Sequence, residues 1–105
     1  MPNDKPYKSN IFHLSMGTAV VKIKVMPTSP DVDLERIKGE VTSKVEKMGG
    51  KGCKLEEEPI AFGLKAIIAL FAWPEEAELE NLEESLQGIE DVNSVQVIDI
   101  RRAIG

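Results

Sequence analysis

The 105-residue chain carries 18 acidic against 13 basic side chains, a net charge of −5. That balance excludes the basic phosphate-binding surface of a typical nucleic-acid protein, while 42% apolar residues supply one packed core and exclude a wholly disordered chain. A single cysteine, Cys53, excludes an internal disulfide, and the only histidine, His13, lies too near the start to build a His-based triad or metal cluster in the body of the chain.

Residues 1–16 carry Pro2, Pro6 and several polar side chains without periodicity, which predicts a flexible extension ahead of a folded domain at 17–105. Met16 is a second candidate for the translational start. Met1–Asn10 has no apolar stretch of a signal peptide, and no run reaches the ~20 apolar residues of a membrane helix. A reduced thiol at Cys53 agrees with a cytoplasmic protein that touches no membrane.

The first strand is expected over about Thr18–Met26, where Ala19, Val21, Ile23 and Val25 alternate with Val20, Lys22 and Lys24. Pro27-Thr28-Ser29-Pro30 ends it. A helix over about Asp31–Met48 follows, with Leu34, Ile37, Val41, Val45 and Met48 on one stripe. Ser29, Asp31 and Asp33 are its candidate caps, and Gly49-Gly50 its left-handed stop. Glu40 and Lys44 have the spacing of an ion pair, and Gly39 predicts close packing of the helix on a sheet.

Cys53–Ile60, with Glu56, Glu57, Glu58 and Pro59, reads as a protected edge strand. Ala61-Phe62-Gly63 is a tight connection to an apolar central strand over about Leu64–Trp73. Phe71 and Trp73 share its Lys65 parity, so the open sheet face is one place for them, but core packing or a protein contact is the stronger reading. A second helix is expected over about Pro74–Ile89, opening on Pro74 and the acidic Glu75, Glu76 and Glu78, with Leu79, Leu82, Leu86 and Ile89 as its stripe. In the last strand, about Asn93–Arg101, apolar parity switches between Val97 and Ile98. This predicts a bulge near Val97 and places Asp99 among apolar neighbours.

The β-α-β-β-α-β order predicts an α+β, ferredoxin-like sandwich: a four-stranded antiparallel sheet with two helices on one face and the first and third strands central. Gly49-Gly50-Lys51-Gly52 is not a phosphate loop, because it closes a helix instead of opening one. The acidic side chains of the second helix read as a solvated face or a docking surface for a basic partner.

Pro59-Ile60-Ala61-Phe62-Gly63-Leu64-Lys65 resembles the strand junction of the exchange domain in the archaeal-type elongation factor 1-beta family. Lys22–Pro27 resembles that family's first strand, and Val95-Gln96, Asp99 and Ile100 its last. The likeness spans about residues 17–105. It implies a guanine nucleotide exchange factor for elongation factor 1-alpha, monomeric when free, without cofactor, direct nucleic-acid contact or covalent chemistry. It also implies partner contact through Phe62, Gly63, Lys65 and Asp99, and Arg101 and Arg102 are expected contacts as electrostatic substitutes for a lysine that the family's pattern has and this chain lacks. Eukaryotic relatives end in a lysine directed at the partner's Mg²⁺ and phosphates. The end here is Arg101-Arg102-Ala103-Ile104-Gly105, which offers arginine instead. The rival readings on the same fold are a dimeric small-molecule-binding regulatory module and a small phosphate-ester hydrolase.

Overall fold

The computed structural model describes residues 18–102. The expected extension at 1–16, with His13 and Met16, lies outside them, as do Ala103, Ile104 and Gly105. The elements run β1 (Thr18–Pro27), α1 (Leu34–Lys47), β2 (Lys51–Pro59), a single 3₁₀ turn (Ala61–Gly63), β3 (Lys65–Pro74), α2 (Leu79–Gln87) and β4 (Val92–Arg102). All strand pairs are antiparallel, in the order β2-β3-β1-β4, so the ferredoxin-like arrangement holds and β1 and β3 are central.

Alternation decides which face is dry. Ala19, Val21, Ile23 and Val25 of β1 stand opposite Trp73, Phe71, Ala69 and Ile67 of β3, and all eight are buried. They meet Ile37, Val41 and Val45 of α1 and Leu82 and Leu86 of α2 in one core, so both helices cover the same face. Each fully buried aliphatic side chain contributes roughly 1.5–3 kcal/mol, which makes this layer the main source of stability. Phe71 and Trp73 therefore belong to the core and not to the open face; their rings meet edge to face at 5.9 Å. Trp73 Nε1 donates to the Ala77 carbonyl at 3.1 Å, so the indole is buried without an orphaned donor.

Several local expectations are corrected. Helix α1 starts at Leu34, because Asp33 is its cap and accepts from the amides of Glu35 (3.1 Å) and Arg36 (3.3 Å). Pro74 does not open α2. It ends β3, and a turn closed by Ala77 N–H on the Pro74 carbonyl (3.1 Å) intervenes before Leu79. Glu40 pairs with Arg36 Nη1 at 2.9 Å instead of with Lys44.

The glycines of the α1 region divide unexpectedly. A Cβ added to Gly39 would meet nothing within 4 Å, so packing does not account for it. Gly39→Ala is accordingly expected to stabilise the domain by about 1 kcal/mol, read as a thermal midpoint raised by roughly 4–8 °C. At Gly50 an added Cβ would lie 2.5 Å from Val45 Cγ1 and 3.3 Å from the Ala72 carbonyl. The close approach of α1's end to the sheet is there.

In β4 the register steps from Lys22↔Asp99 to Ile23↔Val97, leaving Ile98 as the extra residue of a bulge. The bulge agrees with the parity switch, but Asp99 is not among apolar neighbours. It sits across from Lys22 on the open face, with Arg101 Nε at 3.0 Å from its carboxylate.

Candidate partner interface

The β2–β3 junction is built around an unusual backbone. Phe62 has φ +64° and Gly63 φ +77°, two left-handed residues in succession. Glycine takes this conformation freely, whereas a bulky side chain does so at a cost of about 1–2 kcal/mol. The turn is closed by Ile60 N–H on the Leu64 carbonyl (2.7 Å) and Leu64 N–H on the Ala61 carbonyl (3.3 Å). The result lifts the Phe62 ring clear of the fold, 93% exposed, the most exposed large apolar side chain described. Phe62 is therefore no part of the core.

Beyond the turn, Lys65 Nζ stands 3.9 Å from Glu57, whose other oxygen is 2.7 Å from Lys38 Nζ of α1. Lys38 also reaches Glu35 at 3.1 Å. Hydrogen bonding from Lys38 holds the Glu57 carboxyl below its ordinary range, and hydrogen bonds to Glu57 and Glu35 raise Lys38 above its own. The lowered carboxyl stabilises the fold above the ordinary Glu range and loses that contribution as acid titrates it. The raised ammonium stabilises below the ordinary Lys range and loses its contribution only as pH climbs through the raised value. Glu57→Gln should therefore lower the denaturation midpoint at neutral pH, with the difference from wild type shrinking in acid and in high salt. Denaturant titrations at pH 7 and at acid pH check this.

The six expected contact residues do not form one cluster. Phe62, Gly63 and Lys65 lie at the end of the sheet where β1 reaches Pro27. Arg101 and Arg102 pair with Val20 and Ala19 at the opposite end. From Val20 to Pro27 the separation along β1 is about 23 Å. Asp99 lies between, one row from Arg101. Both arginines already hold acidic partners: Arg101 on Asp99 at 3.0 Å and Arg102 on Glu75 at 2.8 Å.

Joining the two ends is the uncovered sheet face. Its rows run Glu56–Ile68–Lys24–Gln96 and Lys54–Leu70–Lys22–Asp99. In the middle of each row a β1 lysine stands beside an aliphatic β3 residue, and the margins hold Glu56, Gln96, Asp99 and Lys54, with Val20 and Ile98 also exposed. No aromatic side chain stands in these rows, so they offer no platform for stacking bases.

Sequence patterns did not disclose Arg36 and Asp91. Arg36 Nη2 donates to Asp91 Oδ2 at 2.8 Å and to the Glu90 carbonyl at 3.1 Å, across 55 residues of sequence. No local signal links positions so far apart. Cys53 is half-buried, and burial pushes its thiol pKa up despite a hydrogen bond with Thr42, so it is a poor nucleophile. Among the described residues no group of His, Cys, Asp or Glu is placed to hold a metal ion, and no helix is long and apolar enough to cross a membrane.

Residues 20–103 match the family model of the EF-1 guanine nucleotide exchange domain. The chain belongs to that family. Elongation factor 1-beta of Methanothermobacter thermautotrophicus is 48% identical over 88 residues, covering 83% of this chain and 98% of the relative. The Methanobrevibacter smithii protein of that name is 42% identical over 88 residues, at 83% and 98% coverage. That of Methanococcus vannielii is 36% identical over 86, at 81% and 97%. As a member of this exchange family the chain has a guanine nucleotide exchange role in translation elongation. The β2–β3 turn and all six expected contact residues fall inside the matched span.

Proposed function

We propose that the chain accelerates GDP release from elongation factor 1-alpha by binding the nucleotide-free GTPase more tightly than the filled one, with the Phe62 turn as an anchor of the contact. The observation that carries this reading is a phenylalanine 93% exposed on a left-handed turn. Water penalises exposed aromatic surface, and the backbone there is strained as well. Side chains held against both penalties cluster at binding and switch sites. A ring on a short closed turn also loses little freedom on docking.

Exchange needs no bond-making group. If the factor prefers the empty GTPase, linkage requires that GDP bind the factor–GTPase complex more weakly by the same factor. The preference must come from contacts that differ between the two states of the partner. Gly63 lets the backbone of the turn approach closely. Lys65, Asp99, Arg101 and Arg102 supply charge along the sheet. Arg101 and Arg102 hold Asp99 and Glu75 through Nε alone and are largely exposed, so their Nη groups can meet a partner's anionic groups while those exposed pairs, which are worth little, persist or break. The free factor is monomeric and acts on the protein partner alone.

The test is release of a fluorescent GDP analogue from elongation factor 1-alpha in excess GTP. Catalytic amounts of the chain should speed release, and an unchanged rate would overturn the proposal.

A further inference from the structure

Glu57 stands between two lysines, and they share it unequally. Strand pairing sets Glu57 opposite the buried Ile67 and Pro59 opposite Lys65, so Glu57 and Lys65 are diagonal neighbours on the face that the helices cover. From α1, Lys38 Nζ reaches Glu57 Oε2 at 2.7 Å, whereas Lys65 Nζ stops 3.9 Å from Oε1. The first is a charge-assisted hydrogen bond and the second is too long to be one. Exposure follows the same order, with the Lys38 side chain 21% exposed and that of Lys65 55%. Lys38 is steadied further by Glu35 of its own helix at 3.1 Å. Among the described residues, Lys38 and Lys65 are the two cations paired with Glu57.

We infer that Lys38 is a positioning residue for nucleotide exchange: by holding Glu57 it keeps the Lys65 ammonium, just beyond the Phe62 turn, free to meet an anionic group of the partner. The inference rests on the reading of Lys65 as a partner contact. One carboxylate charge faces two claims. While Lys38 neutralises it, its pull on Lys65 is weak. Without Lys38 the whole charge acts on Lys65, and rotation about the lysine's side-chain bonds closes the 3.9 Å gap. The partner must then break that pair before Lys65 can engage. Glu57 turns from a neutralised neighbour into an internal competitor for the same ammonium.

The experiment uses Lys38→Met in the full chain, with Glu57→Gln then added to it as the rescue. Methionine keeps the helix propensity of lysine and removes only the charge. Lys38→Met should raise the factor concentration for half-maximal exchange about two- to fivefold, the range set by one exposed ion pair. Adding Glu57→Gln should bring it back close to wild type, since no charge is left to hold Lys65. A merely structural role for Lys38 gives the reverse, because the double variant has lost more of the contact between α1 and β2. In a Lys65→Met background, Lys38→Met should cost nothing further. Carboxyl NMR of Glu57 in the free protein reads the takeover directly. Its pKa should stay below the ordinary range in Lys38→Met and rise to that range only when Lys65→Met is added. A Glu57 carboxyl that returns to the ordinary range in Lys38→Met alone, or a loss of exchange that Glu57→Gln does not relieve, would overturn the inference. Should Lys65→Met leave exchange unchanged, the reading of Lys65 as a contact fails instead, and the carboxyl titration still decides whether Lys38 keeps Lys65 off Glu57.

Discussion

Phe62→Ala is expected to slow exchange about thirtyfold at limiting factor, the consequence of losing roughly 2 kcal/mol from a central aromatic anchor. The fold should not notice. With the ring 93% exposed, truncation removes almost no buried surface. Phe62→Gly separates the two roles more sharply. It releases the left-handed strain of about 1–2 kcal/mol and adds about 0.5–1 kcal/mol of unfolded-chain entropy. The thermal midpoint should hold or rise by a few degrees while exchange falls as in Phe62→Ala. A variant at least as stable as wild type but defective in exchange would have no explanation in folding. Retention of full exchange by both variants would remove the anchor.

Gly50→Ala should destabilise the domain by about 2–3 kcal/mol, the upper part of the range for overpacking a closed site. The added methyl collides with Val45 Cγ1 at 2.5 Å and crowds the Val45 and Ala72 carbonyls at 3.1 and 3.3 Å. Val45 is fully buried and the carbonyls are backbone, so neither yields cheaply. The thermal midpoint should drop by roughly 10–20 °C. Val45→Ala in the same chain should recover part of this, giving a favourable coupling between the two sites. Strict additivity would mean that α1's end shifts freely and that the contact is not tight.

The two glycines show what the sequence could and could not convey. Gly39 and Gly50 look alike as letters, and the helix interior was the natural place to expect close packing. Whether a Cβ has room depends on the strand arriving behind it, and that distance is tertiary. Alternation in β1 and the 3.6-residue stripe of α1 were legible because burial of one face leaves a periodic record. The bulge at Ile98 was legible too, since a lost step of parity has few other causes. Pro74 misled because its preference for a first helical turn is equally a preference for ending a strand, and Trp73 settled the choice by anchoring its indole on Ala77. For the site, the motif around Phe62 was visible, but its exposure was not. The Arg36–Asp91 ion pair was invisible, because its partners are 55 residues apart and meet only in the folded chain.

The separation of Phe62 from Arg101 has a mechanical consequence. A stiff sheet gripped at one end behaves as a lever. A tilt of about 10° around the phenylalanine moves the arginine end by roughly 4 Å, given some 23 Å of strand between them. That is more than a hydrogen bond's length. On the proposed contact, small reorientations at the phenylalanine would make or break charge contacts at the arginines, and the factor would let go of its partner one end at a time.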